Sequence, residues 1–414
     1  MNTFSELSLS PILAGNLKKH GFVIPTPVQA QSIPPALAGN DVVATAQTGT
    51  GKTLAFVLPM LQKFSSVPVP TGIRAVILSP TRELAIQINE TFSKMAHGTG
   101  IKAAVVVGGM SENVQLQAIR KGAQVLIATP GRISDFIKRR LVKLGAVEFL
   151  VLDEADRMLD MGFLPTIEYV MEQIPENRQT LFFSATIESS VAHLIDDYLH
   201  KPVKIAIGSA TKPAENIDLH VYEVDQDRKL SLLTHLLGED QGSFLVFSRT
   251  KHGADKLSKK LSVGGFKSTM IHGDRTQSQR NQALKGFQQG DYRVLVATDV
   301  AARGIHVDGI AHVVNFDLPQ VPEDFIHRVG RTGRAGARGT ASTFATRNER
   351  KDIMAIERTL KTKLVRQEVT IILEREVKKI GGANVIEIPV PFYAKAKAGG
   401  NFNRFQARRR AGGR

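Results

Sequence analysis

Cysteine is absent from all 414 residues of the chain. Its absence excludes disulfide bonds, zinc sites built on thiolates and cysteine nucleophiles, and it is typical of proteins from a reducing compartment. No apolar stretch approaches the roughly 20 residues that a membrane-spanning helix needs. Residues 1–20 contain no continuous apolar segment like that of a signal peptide. We therefore expect a soluble, cytoplasmic protein with no membrane partner.

Acidic residues are outnumbered by basic ones. The chain has 54 Lys and Arg against 39 Asp and Glu, a net charge of +15 and a pI near 9.9. This balance favours a polyanionic partner without identifying it. Because 42% of the residues are hydrophobic, the chain can bury a core, and its length predicts two or three domains.

The sequence Ala-Gln-Thr-Gly-Thr-Gly-Lys-Thr at positions 46–53 lies between two apolar runs. A strand, a glycine-containing loop and a helix in this order form a phosphate-binding loop, because backbone N–H groups and the helix start face the anion. Lys52 would then reach the β- and γ-phosphates, and the Thr53 hydroxyl would bind Mg²⁺. Ala46 departs from the pattern, which has glycine there. The alternative, a flexible loop, is disfavoured by the restrictive Gly-Lys-Thr ending.

Short β-branched runs separated by helical patterns predict a parallel sheet covered on both faces. The runs are residues 74–78, 103–107, 125–128, 149–152 and 180–183. Asp-Glu-Ala-Asp at positions 153–156 directly follows the fourth run. Opposite a phosphate loop, we expect Asp153 to hold Mg²⁺ and Glu154 to orient and deprotonate a water molecule. Taken alone, these acids would indicate only a helix start.

A segment rich in Gly, Ser and Pro at positions 208–216 predicts a linker. The alternation of strands and helices then resumes, most clearly at residues 243–247, 293–297 and 312–315. Residues 381–414 carry seven basic residues and one acid, with four aromatic residues among them. This composition suits binding to unstructured RNA, and it equally suits a solvated disordered end.

The motifs between Phe4 and Arg334 resemble those of the DEAD-box RNA helicases. The resemblance implies an α/β fold of two tandem RecA-like domains with parallel sheets, at residues 1–207 and 217–373. A linker at 208–216 and a basic, disordered tail at 374–414 complete the chain. The family implies ATP and Mg²⁺ as cofactors and RNA as the partner, in a ribonucleoprotein or ribosome-assembly setting. Residues 245–254 are most similar to bacterial RhlE-type members.

The resemblance assigns the nucleotide to residues in the phosphate loop and upstream of it. They are Phe4, Phe22, Gln29, Thr48, Gly49, Thr50, Gly51, Lys52 and Thr53. Gln29 would read the adenine edge, because an amide has a donor and an acceptor side by side. The two phenylalanines would pack around the base.

Further motifs resemble those that grip the RNA backbone regardless of sequence. The residues that match are Pro80, Arg82, Gly108, Gly109, Thr129, Gly131, Arg132, Arg249, Thr250, Gly273, Arg280 and Thr298. Ser184, Thr186 and His327 match positions that couple the nucleotide to domain closure.

Arg331 and Arg334 match the family's arginine fingers, which with Lys52, Asp153 and Glu154 complete the predicted catalytic set. Two arginines three residues apart share one face of a helix. We therefore expect both to point across the cleft between the two domains, toward the γ-phosphate. The alternative is a solvated basic helix, but glycines interrupt it.

One position breaks the family pattern: His306 stands where the family has an Asp associated with the nucleotide ribose. Asp308 is the alternative acceptor for that ribose.

The sequence predicts an ATP-dependent RNA helicase that separates short duplexes locally. It leaves open an ATP-gated RNA clamp or remodelling factor that unwinds little. Both activities begin with closure of the two domains on ATP and RNA, so the sequence does not separate them. A DNA translocase is disfavoured by the motifs that match the RNA helicases.

Overall fold

The computed structural model describes residues 1–46, 50–65, 72–187, 189–207, 216–302, 309–333 and 338–376. Each half of the chain contributes the strands of one sheet. The first-half strands are β1 (Val42–Thr45), β2 (Ala75–Leu78), β3 (Ala103–Val106), β4 (Val125–Ala128), β5 (Phe149–Leu152), β6 (Gln179–Ser184) and β7 (Val203–Ala206). The second-half strands are β8 (Ile217–Glu223), β9 (Phe244–Phe247), β10 (Ser268–Ile271), β11 (Val294–Ala297), β12 (His312–Asn315), β13 (Gly339–Ala345) and β14 (Val365–Gln367). We call these halves the first lobe and the second lobe.

Helices connect the strands in both lobes. Those of the first lobe are α1 (Pro11–Lys19), α2 (Pro27–Leu37), α3 (Lys52–Ser65), α4 (Arg82–Ala96), α5 (Glu112–Arg120), α6 (Pro130–Lys138), α7 (Ala155–Asp160), α8 (Leu164–Glu172) and α9 (Ser189–Tyr198). Those of the second lobe are α10 (Lys229–Glu239), α11 (Lys251–Val263), α12 (Gln277–Gln288), α13 (Asp299–Ala302), α14 (Pro322–Val329) and α15 (Arg350–Leu360). Short 3₁₀ helices occur at Phe4–Glu6, Gln226–Arg228 and Arg347–Glu349. Within the described ranges, no helix is long and apolar enough to cross a membrane.

The two sheets repeat one topology. The first has the order β3-β4-β2-β5-β6-β1-β7, and the second has the order β10-β11-β9-β12-β13-β8-β14. Each strand of the second sheet therefore takes the place of the strand numbered seven lower in the first, and every pairing is parallel. The helices α4 and α11, which follow the counterpart strands β2 and β9, both begin at a threonine N-cap, Thr81 and Thr250. The fold is thus a tandem duplication.

Helices cover both faces of each sheet. In β1, Val42 and Ala44 pack into one core of the first lobe while Val43 packs into the other. In the second lobe, Leu245 and Val246 of β9 likewise face opposite cores. Parallel strands buried on both faces have to be apolar along their length, which explains why the β-branched runs predicted them.

All the strands that the sequence predicts are present, but the structure also contains strands that the sequence pattern does not predict. The strands β7 and β14 lie at sheet edges, and their residues are largely exposed. The strand β13 (Gly339–Ala345) is buried, yet it is built from small and hydroxyl-bearing residues. Because these strands lack continuous apolar runs, the pattern that finds central strands does not find them.

Candidate functional site

The predicted functional motifs lie at the carboxyl ends of strands, where open parallel sheets bind ligands. In the first lobe, the motifs assigned to RNA follow β2, β3 and β4, which are neighbours at one side of the sheet. The phosphate loop follows β1, the acidic motif follows β5 and the coupling motif lies at the end of β6, and these three strands are neighbours on the other side. The strand order therefore separates the two sets of motifs along one edge.

The phosphate loop is described at its two ends, while Thr48 and Gly49 lie outside the described residues. Lys52 is the first residue of α3 and is 6% exposed, and its ammonium donates to the Ala46 carbonyl at 3.0 Å. Ala46 does not have a positive φ, so an alanine is accommodated where the loop pattern has glycine. Thr53 and Gly51 line the cleft beside Lys52.

Gln29 is held by the loop on one side and by its own helix start on the other. Its amide oxygen accepts from the Thr26 N–H at 2.9 Å, and its amide nitrogen donates to the Gly51 carbonyl at 2.9 Å. An amide has two N–H groups and two lone pairs, so one of each remains for an adenine edge. Phe22 lines the same cleft. Phe4 is buried in the first-lobe core, and its contact with a base stays a prediction.

Gly51 cannot carry a side chain without disturbing Gln29. Its φ is +90°, and a Cβ would lie 2.4 Å from the Gln29 amide nitrogen. We expect Gly51→Ala to weaken ATP binding about tenfold, because the alanine would strain the loop and displace the adenine-reading amide.

Titration with a fluorescent ATP analogue would measure this loss. Gly39→Ala is the matched control, since Gly39 has a φ of +87° and a Cβ added to it would meet nothing within 4 Å. Equal losses in the two variants would show that backbone strain alone is responsible.

Asp153 and Glu154 are buried behind the phosphate loop. Burial raises the pKa of Asp153 to about 7, against the opposing effect of the Lys52 ammonium. Burial alone would raise the pKa of Glu154 too, but nearby cations, of which Arg157 acts most strongly, lower it to about 2. The Arg157 guanidinium lies 2.6 Å from Glu154 Oε2. Glu154 is therefore a carboxylate at neutral pH, and its orientation is set by Arg157.

Glu154 also has a strained backbone, with φ of 51° and ψ of 52°. A left-handed conformation costs a residue with a Cβ of order 1–3 kcal/mol, and such residues cluster at functional sites. This geometry places the side chain between the end of β5 and the start of α7.

Asp156 connects this acidic motif to the predicted coupling motif. Its Oδ2 accepts from the N–H groups of Ala185 and Thr186, both at 2.9 Å, and from the Thr186 hydroxyl at 3.2 Å. The Ser184 hydroxyl donates to the Thr186 carbonyl at 2.6 Å. Residues 184–186 are therefore bonded directly to the acidic motif through Asp156.

The second lobe supplies Arg331 to the opposite wall, and His327 is buried near the charges of Arg157, Asp156 and Glu154. Arg331 is 2% exposed and lines the cleft together with Lys52 and Glu154. Burial, followed by the charge of Arg157, lowers the pKa of His327 to about 3, so the imidazole is neutral. Arg334 lies outside the described residues.

The prediction that Arg331 lies on a helix is wrong. The helix α14 ends at Val329, its C-cap is Gly330, and Arg331 follows in a turn. Glycine at a helix end favours termination, and the Arg331 Nε donates back to the His327 carbonyl at 3.2 Å. The turn, rather than a helix face, directs Arg331 into the cleft.

The first-lobe residues assigned to RNA form two groups. Arg82 packs on the diglycine: a Cβ on Gly109, whose φ is +74°, would lie 2.0 Å from Arg82 Nη1. Gly108 adjoins the same guanidinium. Pro80, two residues before Arg82, is buried.

The second group follows β4. Thr129 is buried and Gly131 is exposed, while Arg132 lies 3.4 Å from both Glu112 and Asp135. These carboxylates hold the guanidinium at the surface.

In the second lobe, Arg249 is exposed, and Thr250 caps α11 by accepting from the Gly253 N–H at 3.0 Å. Gly273 is exposed after β10, whereas Thr298 is buried after β11. The structure thus brings these residues to the edge that corresponds to the RNA side of the first lobe.

Arg280 is in a different environment from the other residues assigned to RNA. Its Nη2 lies 2.9 Å from Glu83 Oε2 in the first lobe, and Gln277 donates to the other Glu83 oxygen at 3.0 Å. All three side chains are buried. The guanidinium is therefore engaged across the cleft, and its contact with RNA stays a prediction.

Comparison with known proteins identifies the family. Residues 26–195 match the family model "DEAD/DEAH box helicase", and residues 228–336 match "Helicase conserved C-terminal domain". The DEAD-box ATP-dependent RNA helicase CshA of Streptococcus pneumoniae is 43% identical over 362 residues, which cover 87% of this chain and 69% of that protein. This chain belongs to the DEAD-box ATP-dependent RNA helicases.

Solved structures of DEAD-box proteins support the same conclusion. Dbp5 of S. cerevisiae bound to RNA and ADP BeF3 matches with a TM-score of 0.80 at 31% identity, over 89% of this chain and 96% of that one. A DEAD box protein from Methanococcus jannaschii matches with a TM-score of 0.53 at 37% identity, over 88% and 99% of the two chains. The predicted pair of RecA-like domains is confirmed. As a DEAD-box helicase, the protein is an RNA-dependent ATPase that couples ATP to RNA binding and unwinding.

Two buried charged residues of this DEAD-box helicase were not singled out from the sequence. Glu83 bridges the lobes, although it is next to Arg82, which the resemblance assigns to RNA. Arg328 forms a bidentate ion pair with Asp299, at 2.5 and 2.7 Å, and donates to the Asp317 carbonyl at 2.7 Å. A buried charge needs a partner, but sequence spacing does not identify a partner that lies far away in the chain.

Proposed function

We propose that the cleft between the lobes binds ATP with the family's residue roles as they match this chain. The observation that carries the proposal is the composition of the cleft, which has a volume of about 720 Å³. Lys52, Asp153 and Glu154 from the first lobe and Arg331 from the second all line it and are all nearly inaccessible to solvent. Burying two cations and two carboxylates around one cleft is costly, and a site that binds a triphosphate together with Mg²⁺ would use all four of them.

In this proposal, each side chain has one task. Lys52 neutralises the β- and γ-phosphates, and Arg331 stabilises the charge that develops as the γ-phosphoryl group is transferred. Glu154 accepts a hydrogen bond from the attacking water and then its proton. Because Oε2 is engaged by Arg157, we assign this step to Oε1.

Mg²⁺ fits the residues present. Asp153 Oδ1 is buried without a hydrogen-bond partner, and Thr53 lines the same cleft. Within the described ranges, no group of three or more His, Asp or Glu could hold a metal unaided, but Mg²⁺ commonly relies on one or two carboxylates, waters and substrate phosphates. We propose that Asp153 and Thr53 hold it, and its charge would neutralise the phosphates.

RNA is proposed to cross the other side of the same edge. Arg82 beside its diglycine, Arg132 in the first lobe and Arg249 in the second offer guanidinium groups to phosphate oxygens. Backbone contacts of this kind are independent of base sequence. Arg280 and Gln277 support this surface indirectly, because their bonds to Glu83 hold the two lobes together.

We also propose the finer assignments that the residues favour. The domains extend over residues 1–207 and 217–373, with the linker at 208–216 and the tail at 374–414. The motif at residues 245–254 supports a place among RhlE-type members. A ribonucleoprotein or ribosome-assembly setting in the bacterial cytoplasm is consistent with the bacterial relatives.

The test compares ATPase activity with single-stranded RNA and DNA of one sequence and length. We expect RNA to stimulate turnover and DNA to stimulate it little, since the ribose 2′-hydroxyl distinguishes the two. A parallel duplex-separation assay, with ATP against a non-hydrolysable analogue, tests whether opening requires only closure of the lobes. Equal stimulation by RNA and DNA would contradict the proposed RNA site.

A further inference from the structure

Lys229, the first residue of α10, is fully buried in the second lobe. Its ammonium donates to the Phe316 carbonyl at 3.0 Å. Placing an ammonium in the interior is costly unless opposite charges compensate it. An apolar residue could fill the same space without this cost, so the neighbours of the charge indicate what it does.

Two carboxylates face the Lys229 ammonium. Glu349 Oε2 lies at 3.8 Å and Asp317 Oδ1 at 4.0 Å. Both acids also hold Arg249: Asp317 Oδ2 accepts from its backbone N–H at 2.9 Å, and Glu349 Oε1 accepts from its Nη2 at 3.2 Å. Two cations and two anions therefore form one balanced cluster from the segments that follow β8, β9, β12 and β13.

The two cations of this cluster differ in exposure. The Arg249 side chain is 48% exposed, whereas that of Lys229 is 0% exposed. Arg249 can therefore leave the cluster for a phosphate, while Lys229 cannot reach one. When Arg249 leaves, Lys229 is the cation that remains beside both carboxylates.

We propose that Lys229 is a positioning residue for RNA binding, which neutralises Asp317 and Glu349 and so frees the Arg249 guanidinium to bind an RNA phosphate. Without this buried charge, the two carboxylates would retain Arg249 as their nearest cation. The inference rests on the proposed RNA contact of Arg249.

The cluster also reaches the nucleotide side of the lobe. The Asp317 carbonyl accepts from Arg328 Nη1 at 2.7 Å, and Arg328 lies on α14, three residues before Arg331. The segment that presents Arg249 and the helix that leads to Arg331 are thus joined at Asp317. Lys229 stabilises the residue where they meet.

The experiment measures RNA affinity of the full chain as a function of salt, with a saturating ATP analogue. We expect Lys229→Met to weaken binding about 5- to 10-fold, the loss of one charge-assisted hydrogen bond to a phosphate. The slope of log K against log salt should fall by about 0.7, the value for one phosphate contact on a single strand. Arg249→Ala should lower affinity and slope by similar amounts.

Lys260→Met is the charge-matched control, because Lys260 pairs with Glu376 and contacts none of the cluster. It should leave affinity and slope near wild type. The double variant Lys229→Met/Glu349→Gln restores the balance of charges, so we expect it to recover RNA affinity to within about twofold of wild type. The salt slope is the readout that a merely structural role for Lys229 would not move, because it counts phosphate contacts and not stability.

The outcomes distinguish the positioning role of Lys229 from the RNA contact of Arg249 on which that role rests. If Arg249→Ala weakens RNA binding but Lys229→Met does not, Lys229 has no positioning role and the proposed RNA site stands. If Arg249→Ala has no effect, the proposed phosphate contact fails and the role of Lys229 fails with it. Should Lys229→Met not fold, Glu349→Gln alone decides: tighter RNA binding supports the inference, and unchanged or weaker binding overturns it.

Discussion

Glu154→Gln is expected to lower RNA-stimulated ATP turnover by about 10²–10⁴-fold, the usual contribution of a positioned general base. The amide keeps the size of the side chain and removes the proton acceptor. Lys52 and Asp153 are untouched, so ATP and RNA should still bind. A complex closed on RNA should therefore accumulate, and native gel electrophoresis with labelled RNA and ATP would detect it.

Loss of activity must be separated from loss of the fold. The substitution removes the charge that faces the buried Arg157 at 2.6 Å, so we expect a lower melting temperature as well. Glu172→Gln, an exposed substitution at the end of α8, is the control for both measurements. If a folded Glu154→Gln protein turned over ATP at the wild-type rate, another residue would be the base.

Arg331→Ala is expected to reduce turnover even more strongly, by about 10³–10⁵-fold, as removal of an arginine finger does in other NTPases. ATP affinity should change much less, because the guanidinium acts chiefly on charge that develops during phosphoryl transfer. Single-turnover kinetics at saturating ATP and RNA would separate the chemical step from binding.

The control for Arg331 is Arg338→Ala. The Arg338 side chain is 83% exposed and lies 3.6 Å from Asp218 of β8, away from the residues that line the cleft. It should retain wild-type turnover. A large loss of ATP affinity in Arg331→Ala with an unchanged chemical step would mean that Arg331 binds ground-state nucleotide and is not a finger.

Some of the site could be predicted because its determinants are close in the chain. Lys52 and Thr53 follow a glycine loop at the start of a helix, and Asp153 directly follows an apolar strand. Central parallel strands are apolar throughout, so their ends, and the residues placed there, are visible in the pattern. The same reasoning failed for Arg331, because spacing within a basic run did not reveal that the helix stops at Gly330.

The local sequence specifies which residues stand at the carboxyl ends of the strands, and so which chemistry each lobe can offer. Which of them meet depends on the packing of the whole chain: Glu83 of the first lobe meets Arg280 of the second, and Lys229 meets Glu349. Sequence periodicity reports on neighbours within a few residues, whereas these pairs depend on how strands are ordered and how lobes dock. Burial makes such pairings matter, because an ionic group withdrawn from water needs its partner within a few ångströms.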